Sequence, residues 1–229
     1  MKEYKIKDLK KTVEDFINVD YNTPDGRYQS WNFCYKHFRE IFKKDSLSQK
    51  DRQQAALVLA FYLASWGMYR GSSFLLKAYT YTVHIQTIRI LHEKRTLLKK
   101  SFISTDNETE LNELFKLINQ LKEYYSDLKK KAIKQEKVSN KNDDISDTLI
   151  SKIVMGVSGI IPAYDRNVKK ELKRRKLSQT LSKKCYTDLW KLYKTNEMEI
   201  KDLHEEHREY PPMKILDMYL FEKGSKIKD

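Results

Sequence analysis

The sequence predicts an all-α protein built as a single globular multi-helix domain, and three observations carry that expectation. Only six Gly and four Pro are spread over 229 residues, too little punctuation for the closely spaced turns of a sandwich or barrel. Long segments place their apolar residues three and four positions apart, the rhythm of a buried helical face. Hydrophobic residues make up 40% of the chain and aromatic residues 12%, enough to fill a core without help. The length suits one body over 1–229, with a long charged helix and a mobile connector inserted over about 106–144.

Taken in order, Val13, Phe16 and Ile17 share one face of an opening helix, which the turn formers Asn22-Thr23-Pro24-Asp25-Gly26 should end. Trp31, Phe33, Cys34, Tyr35, Phe38, Ile41 and Phe42 follow, at spacings that ordinarily fill a core, interleaved with Arg27, Lys36, His37 and Arg39. Asp45 to Gln49 is a polar turn in which Ser46 or Ser48 can cap the next helix. That helix, with Ala55, Leu59, Tyr62 and Leu63 running to about Met68, is expected at the centre. Its apolar run, Ala55 to Met68, falls short of the roughly 18 to 20 residues that cross a bilayer. Gly71 suits a left-handed helix end and Ser72 or Ser73 a cap, so a helix from Phe74 to about Arg95 should follow a tight turn. Its N-terminus beside Arg70 suits a phosphate.

Leu111, Leu114, Ile118, Leu121, Tyr125 and Leu128 alternate spacings of three and four, a seam that needs a partner surface. Packing on the body is preferred to dimerisation, because two and a half heptads are too few for a coiled coil. The stretch Lys129 to Lys141 holds six basic residues and one acidic, and leads into the polar connector Ser139 to Asp144. A patterned helix from Asp147 carries Leu149, Ile150, Ile153 and Val154 toward Gly156 and Gly159. Pro162 then restricts the backbone, and Asp165 opens a helix through Val168 and Leu172 to roughly Lys176. A helix from Leu181 to Tyr193, an acidic stretch from Glu197 to Glu209 and an apolar helix from Met213 to Phe221 complete the chain.

Charge narrows the partner. Forty-five Lys and Arg against 32 Asp and Glu give a net charge of +13, a self-repulsion that an anionic partner would relieve. Nucleic acid is the expected partner, DNA ahead of RNA. Residues 169–184 concentrate the excess, with eight basic side chains and one acidic. Cys34 and Cys185 stand far apart without a CxxC pair, so neither a disulfide framework nor a zinc or iron–sulfur site is expected, and a reducing compartment is. Met1 to Lys11 alternates Lys with apolar residues and never reaches the apolar core of a secretory signal. The expectation is a cytoplasmic, monomeric protein without membrane association, metal or cofactor. His204 and His207 are at i and i+3, not the i, i+4 spacing of the zinc-protease helix, and no phosphate-binding Gly-rich loop or Ser-centred nucleophile motif is present.

The candidate chemistry gathers at Asp165. A carboxylate at a helix start is ordinarily a cap. This one stands between Tyr164 and Arg166 and is backed by Lys169, Lys170, Lys173, Arg174 and Lys176. There it could stabilise positive charge developing on a sugar while the basic residues hold phosphates. Lys169, Lys173 and Lys176 are expected on one helical face at i, i+4 and i+7.

The segment Pro162-Ala-Tyr-Asp165-Arg-Asn-Val168, with its following basic helix, resembles the catalytic-Asp segment of the helix-hairpin-helix DNA glycosylases, over about residues 147–177. The resemblance implies a helix-hairpin-helix fold, Asp165 in the catalytic place, and Gly156 and Gly159 as hairpin glycines whose amides grip a DNA phosphate. The family's bifunctional members carry a nucleophilic Lys about 18 residues before this Asp, where the present chain has Asp147; Lys152 is the nearest candidate. A monofunctional enzyme of DNA repair, cleaving N-glycosidic bonds of modified or damaged bases, is what the resemblance implies, and phage defence is a second expected setting. Such an enzyme holds an extruded base against aromatic walls, for which Trp31, Trp66, Tyr69 and Tyr164, with Arg70, are the candidates. Two other readings need no catalysis: a nucleic-acid-binding or regulatory protein of a defence or mobile-element system, and a helical interaction module assembling through the Leu111–Leu128 seam.

Overall fold

The computed structural model describes residues 2–18, 26, 28–138, 142 and 144–228. Asn22–Asp25 of the expected first turn, Arg27, and Ser139–Lys141 with Asp143 of the connector lie outside them. Among the described residues there are twelve α-helices and no strand. The helices bury one continuous apolar core that runs from Ile6 to Leu220.

Six of the helices start at a residue whose side chain accepts a hydrogen bond from a free N–H of the first turn. Helix α1 (Leu9–Phe16) and α2 (Gln29–Ile41) present Val13 and Phe16, and Trp31, Cys34 and Phe38, to the core. Helix α3 (Gln49–Ser65) opens with a reciprocal cap. Ser48 Oγ accepts from the Asp51 N–H at 3.1 Å, and the Asp51 carboxylate accepts from the Ser48 N–H at 2.9 Å. The expected single helix from Phe74 to Arg95 is instead four short pieces: α4 (Phe74–Ala78), a 3-10 turn at Tyr81–Val83, α5 (His84–Glu93) and α6 (Arg95–Leu98). The break falls at Tyr79, whose backbone is extended (φ −138°, ψ 155°) and whose hydroxyl donates to the Leu128 carbonyl at 2.7 Å. A tertiary bond and the β-branched run after Tyr79 thus override the helical spacing.

Helix α7 (Glu108–Lys134) is the long charged helix. Its seam residues Leu111, Leu114, Ile118, Leu121 and Tyr125 are buried against α4, α5, α6 and α8 (Asp147–Ser158) of the same chain. The interaction-module reading loses its support here, because the apolar face it needs is already covered.

Helix α8 occupies the centre more fully than α3: every residue from Leu149 to Ser158 is buried. It is capped by Ser146, which accepts from the Leu149 N–H, and ends at Gly159 in the left-handed region (φ 65°). Helix α9 (Arg166–Arg174) lies along α12 (Pro212–Ser225). The two approach so closely that a Cβ on Gly224 would stand 1.9 Å from the Asn167 carbonyl oxygen, so only glycine fits. Helices α10 (Lys183–Thr195) and α11 (Glu197–Glu206) pack beside α12. Among the described residues no helix is long and apolar enough to cross a membrane.

Candidate functional site around Asp165 and Lys152

Two neighbouring helices bring Asp165 and Lys152 together. Asp165 is the N-cap of α9 (φ −81°, ψ −178°), its Oδ1 accepting from the Val168 N–H at 3.1 Å. Its Oδ2 lies 3.8 Å from Lys152 Nζ, with side-chain exposures of 13% for the aspartate and 5% for the lysine. The capping role read from the sequence is therefore real, and it uses one oxygen. Burial pushes the Asp165 carboxyl above its ordinary value, and the neighbouring Asp217 carboxylate adds to the push. The Lys152 ammonium and the N–H groups of Val168 and Asn167 oppose them without cancelling them.

Lys152 reaches across α8 into aromatic surroundings. Its Nζ donates to the Trp66 carbonyl at 3.1 Å and sits 5.0 Å from the Trp66 ring centre. Tyr28 meets the Trp66 ring edge-to-face at 5.2 Å, and Phe221 does so at 6.0 Å. A second buried pair stands alongside: Lys214 Nζ is 2.8 Å from Asp217 Oδ2, 5.0 Å from the Trp31 ring centre and 6.0 Å from that of Trp66. Asp217 Oδ1 also accepts from the Ala163 N–H at 2.8 Å, which fixes the backbone two residues before Asp165. Two carboxylates and two ammonium groups thus surround the Trp31 and Trp66 indoles. Charges taken out of water carry a large desolvation cost unless paired, and both lysines here have a carboxylate partner.

Of the residues expected to serve substrate, Trp66 belongs to this cluster directly and Trp31 joins it through Lys214. Trp31 is fully buried, its Nε1 donating to the Met155 carbonyl at 3.1 Å and its ring stacked on Tyr35 at 4.8 Å. It is a wall beneath the charges rather than a surface for a base. Tyr164 is corrected outright: it is fully buried, turned toward Cys185 and Asp147, and burial pushes its hydroxyl far above its ordinary pKa. Arg166 is exposed at the first turn of α9. Tyr69 is committed to His84, with 2.6 Å between its hydroxyl and Nε2, and Arg70 is exposed beside a separate cavity.

The expected glycine grip on a phosphate is also corrected. Gly156 lies inside α8, where an added Cβ would stand 2.3 Å from Tyr62 Cε1. Gly159 is buried against Pro211. Both glycines serve packing, and neither amide faces solvent.

The basic helix is partly spent on the protein itself. Lys170 donates to the Ile227 carbonyl at 2.7 Å, and Arg174 makes two 2.8 Å bonds to Glu171. Lys169 is half-buried and Lys173 exposed on α9. Lys176 is exposed but lies beyond the end of α9 in the left-handed region (φ 58°), so the expected i, i+4, i+7 face stops at Lys173. Sequence reasoning missed Lys214 and Asp217. The available signal was two opposite charges at i, i+3 inside the otherwise apolar Met213–Phe221 run, a place where charge is costly without a partner.

Among the described residues no group of three His, Cys, Asp or Glu side chains is arranged to hold a metal ion. His204 Nδ1 lies 2.8 Å from the Tyr210 carbonyl oxygen instead. No protein-family model, curated protein or solved structure matches this chain.

Proposed function

We propose that the protein acts on nucleic acid as an N-glycosidase, with Asp165 as the catalytic carboxylate and Lys152 as its charged partner. The observation that carries this reading is the 3.8 Å Lys152–Asp165 pair, largely removed from water and set against Trp66. A helix cap needs neither a buried ammonium nor an aromatic wall; a carboxylate that stabilises an oxocarbenium-like sugar needs both a fixed position and a low-dielectric setting. In the proposed step the bond between the anomeric carbon and the base nitrogen breaks, and its electron pair leaves with the base. The Asp165 carboxylate stabilises the positive sugar, and water adds at the anomeric carbon while losing a proton to that carboxylate. The Lys152 ammonium opposes the upward push that burial gives the Asp165 carboxyl.

The test is a panel of oligonucleotides carrying modified, damaged and mismatched bases, offered to the wild type and to Asp165→Asn. Release of a free base by the wild type and its loss in the variant, with binding retained, is the expected result. Binding with no release from any substrate would overturn it.

A second reading, nucleic-acid binding without catalysis, draws support from the same residue. Asp165 Oδ1 is engaged by Val168 as an ordinary cap, and the exposed Lys173 and Lys176 supply charge without chemistry.

A further inference from the structure

From a separate cavity we infer that this protein has a phosphate-binding pocket between the Gly67–Leu75 turn, Lys129 of α7 and the start of α8. The cavity has a volume of about 230 Å³ and is lined by Arg70, Ser72, Ser73, Lys129, Asp144 and Ser146, among others. That is below the roughly 300–1,000 Å³ of pockets that enclose whole small molecules, so it suits a single anionic group and not a complete nucleotide.

The donor set is matched to an oxyanion. The Arg70 guanidinium is exposed and makes no ion pair with any described residue. Lys129 Nζ uses one of its three donors on the Asp144 carbonyl at 2.9 Å, which holds the ammonium at the rim with two donors left over. Among the described residues the lining contains one carboxylate, that of the exposed Asp144, against two cations, and three hydroxyl groups add donors. Gly67 in the lining holds φ +74°, a backbone conformation that a side chain would strain. A planar guanidinium beside an ammonium is the combination that grips phosphate oxygens through charge-assisted bonds.

Its position ties the pocket to the Lys152–Asp165 pair. The Trp66 carbonyl that accepts the Lys152 hydrogen bond belongs to the peptide that leads into Gly67, and Leu149, one helical turn before Lys152, lines the cavity. Leu149 at the cavity wall thus stands about one turn of α8, roughly 5 Å along its axis, from Lys152. This assigns the pocket to the phosphate of a nucleotide whose sugar faces Asp165. That assignment rests on the proposed function; the phosphate pocket itself does not.

Titration of ¹⁵N-labelled full-length protein with inorganic phosphate at constant ionic strength tests the pocket. A saturable shift of the Arg70 Nε–Hε resonance and of the Gly71–Ser73 amides is expected. Arg70→Ala and Lys129→Ala should each weaken phosphate binding about tenfold, the range of one lost charge-assisted bond, with the thermal unfolding midpoint unchanged. Shifts that fail to saturate, or wild-type phosphate affinity in both variants, would overturn the inference. Repeating the titration with a deoxynucleoside 5′-monophosphate and with a single-stranded oligonucleotide identifies the source. A loss of oligonucleotide affinity in Arg70→Ala assigns the pocket to a phosphodiester, and a loss confined to the monophosphate assigns it to a free nucleotide. Phosphate binding at Arg70 together with no base release by the wild type would keep the pocket and reject the glycosidase.

Discussion

Asp165 does two jobs with two oxygens: Oδ1 caps α9 and Oδ2 faces Lys152. Asn is as good a cap as Asp, so Asp165→Asn should leave α9 folded while removing the negative charge. Because the change also leaves the buried Lys152 ammonium without its carboxylate, a folded circular-dichroism spectrum with a thermal midpoint lowered by several degrees is the expected result; loss of the folded signal would mean that the charge is structural. His84 gives a second prediction at this scale. It is fully buried between the Tyr69 and Tyr125 hydroxyls, each 2.6 Å away, and burial lowers its pKa from 6.5 to about 3. Between those values the unfolded chain takes up a proton that the folded one refuses. Stability is therefore full above pH 6.5 and falls as pH drops toward 3, by at most about 1.4 kcal/mol per pH unit from this residue. Urea denaturation from pH 7 to pH 4 should show a shallower decline for His84→Gln than for wild type, and parallel declines would refute the assignment. The sequence exposed Asp165 through its place before a basic helix. His84 gave no such sign, because its tyrosine partners lie 15 and 41 positions away.

Helix boundaries set by caps were readable, and those set by tertiary contacts were not. Ser48, Ser73 and Asp165 cap the helices that their positions predict. The division of Phe74–Arg95 depends on Tyr79 meeting α7, a contact that no local pattern records. The basic helix shows the same limit. Periodicity places Lys169 and Lys173 on α9, but not the capture of Arg174 and Arg175 by Glu171. Glu171 and Arg175 are each 1% exposed and 2.7 Å apart, and Arg175 also reaches the Tyr219 hydroxyl and the Lys5 carbonyl. Glu171→Ala leaves a buried guanidinium unpaired and should cost about 3–5 kcal/mol in chemical denaturation. A cost under about 1 kcal/mol would mean that Arg175 finds water or another partner. Where α9 crosses α12, Gly224→Ala drives a methyl group into the Asn167 backbone and should cost about 1–3 kcal/mol, read in the same way.

At the scale of the molecule, the all-helical class and the packing of the 111–128 seam were legible because both follow from apolar spacing summed over many residues. The charge cluster was not, since it joins α3, α8, α9 and α12. The net charge of +13 does not depend on any one pairing. If nucleic acid neutralises it, affinity should fall steeply with salt, and replacing Lys169, Lys173 and Lys176 with Ala should flatten that dependence by up to about 0.9 per lost phosphate contact on duplex DNA. An unchanged affinity and slope would remove these three lysines from the binding surface. The central claim, that the buried Lys152–Asp165 pair carries chemistry, is tested most directly by single-turnover release of free base from the modified-oligonucleotide panel, quantified by mass spectrometry for wild type and Asp165→Asn. The account predicts release by the wild type, a fall of at least about a hundredfold in the variant, as for loss of a key electrostatic stabiliser, and oligonucleotide affinity within about twofold. No release by the wild type, or release by Asp165→Asn at the wild-type rate, would contradict it.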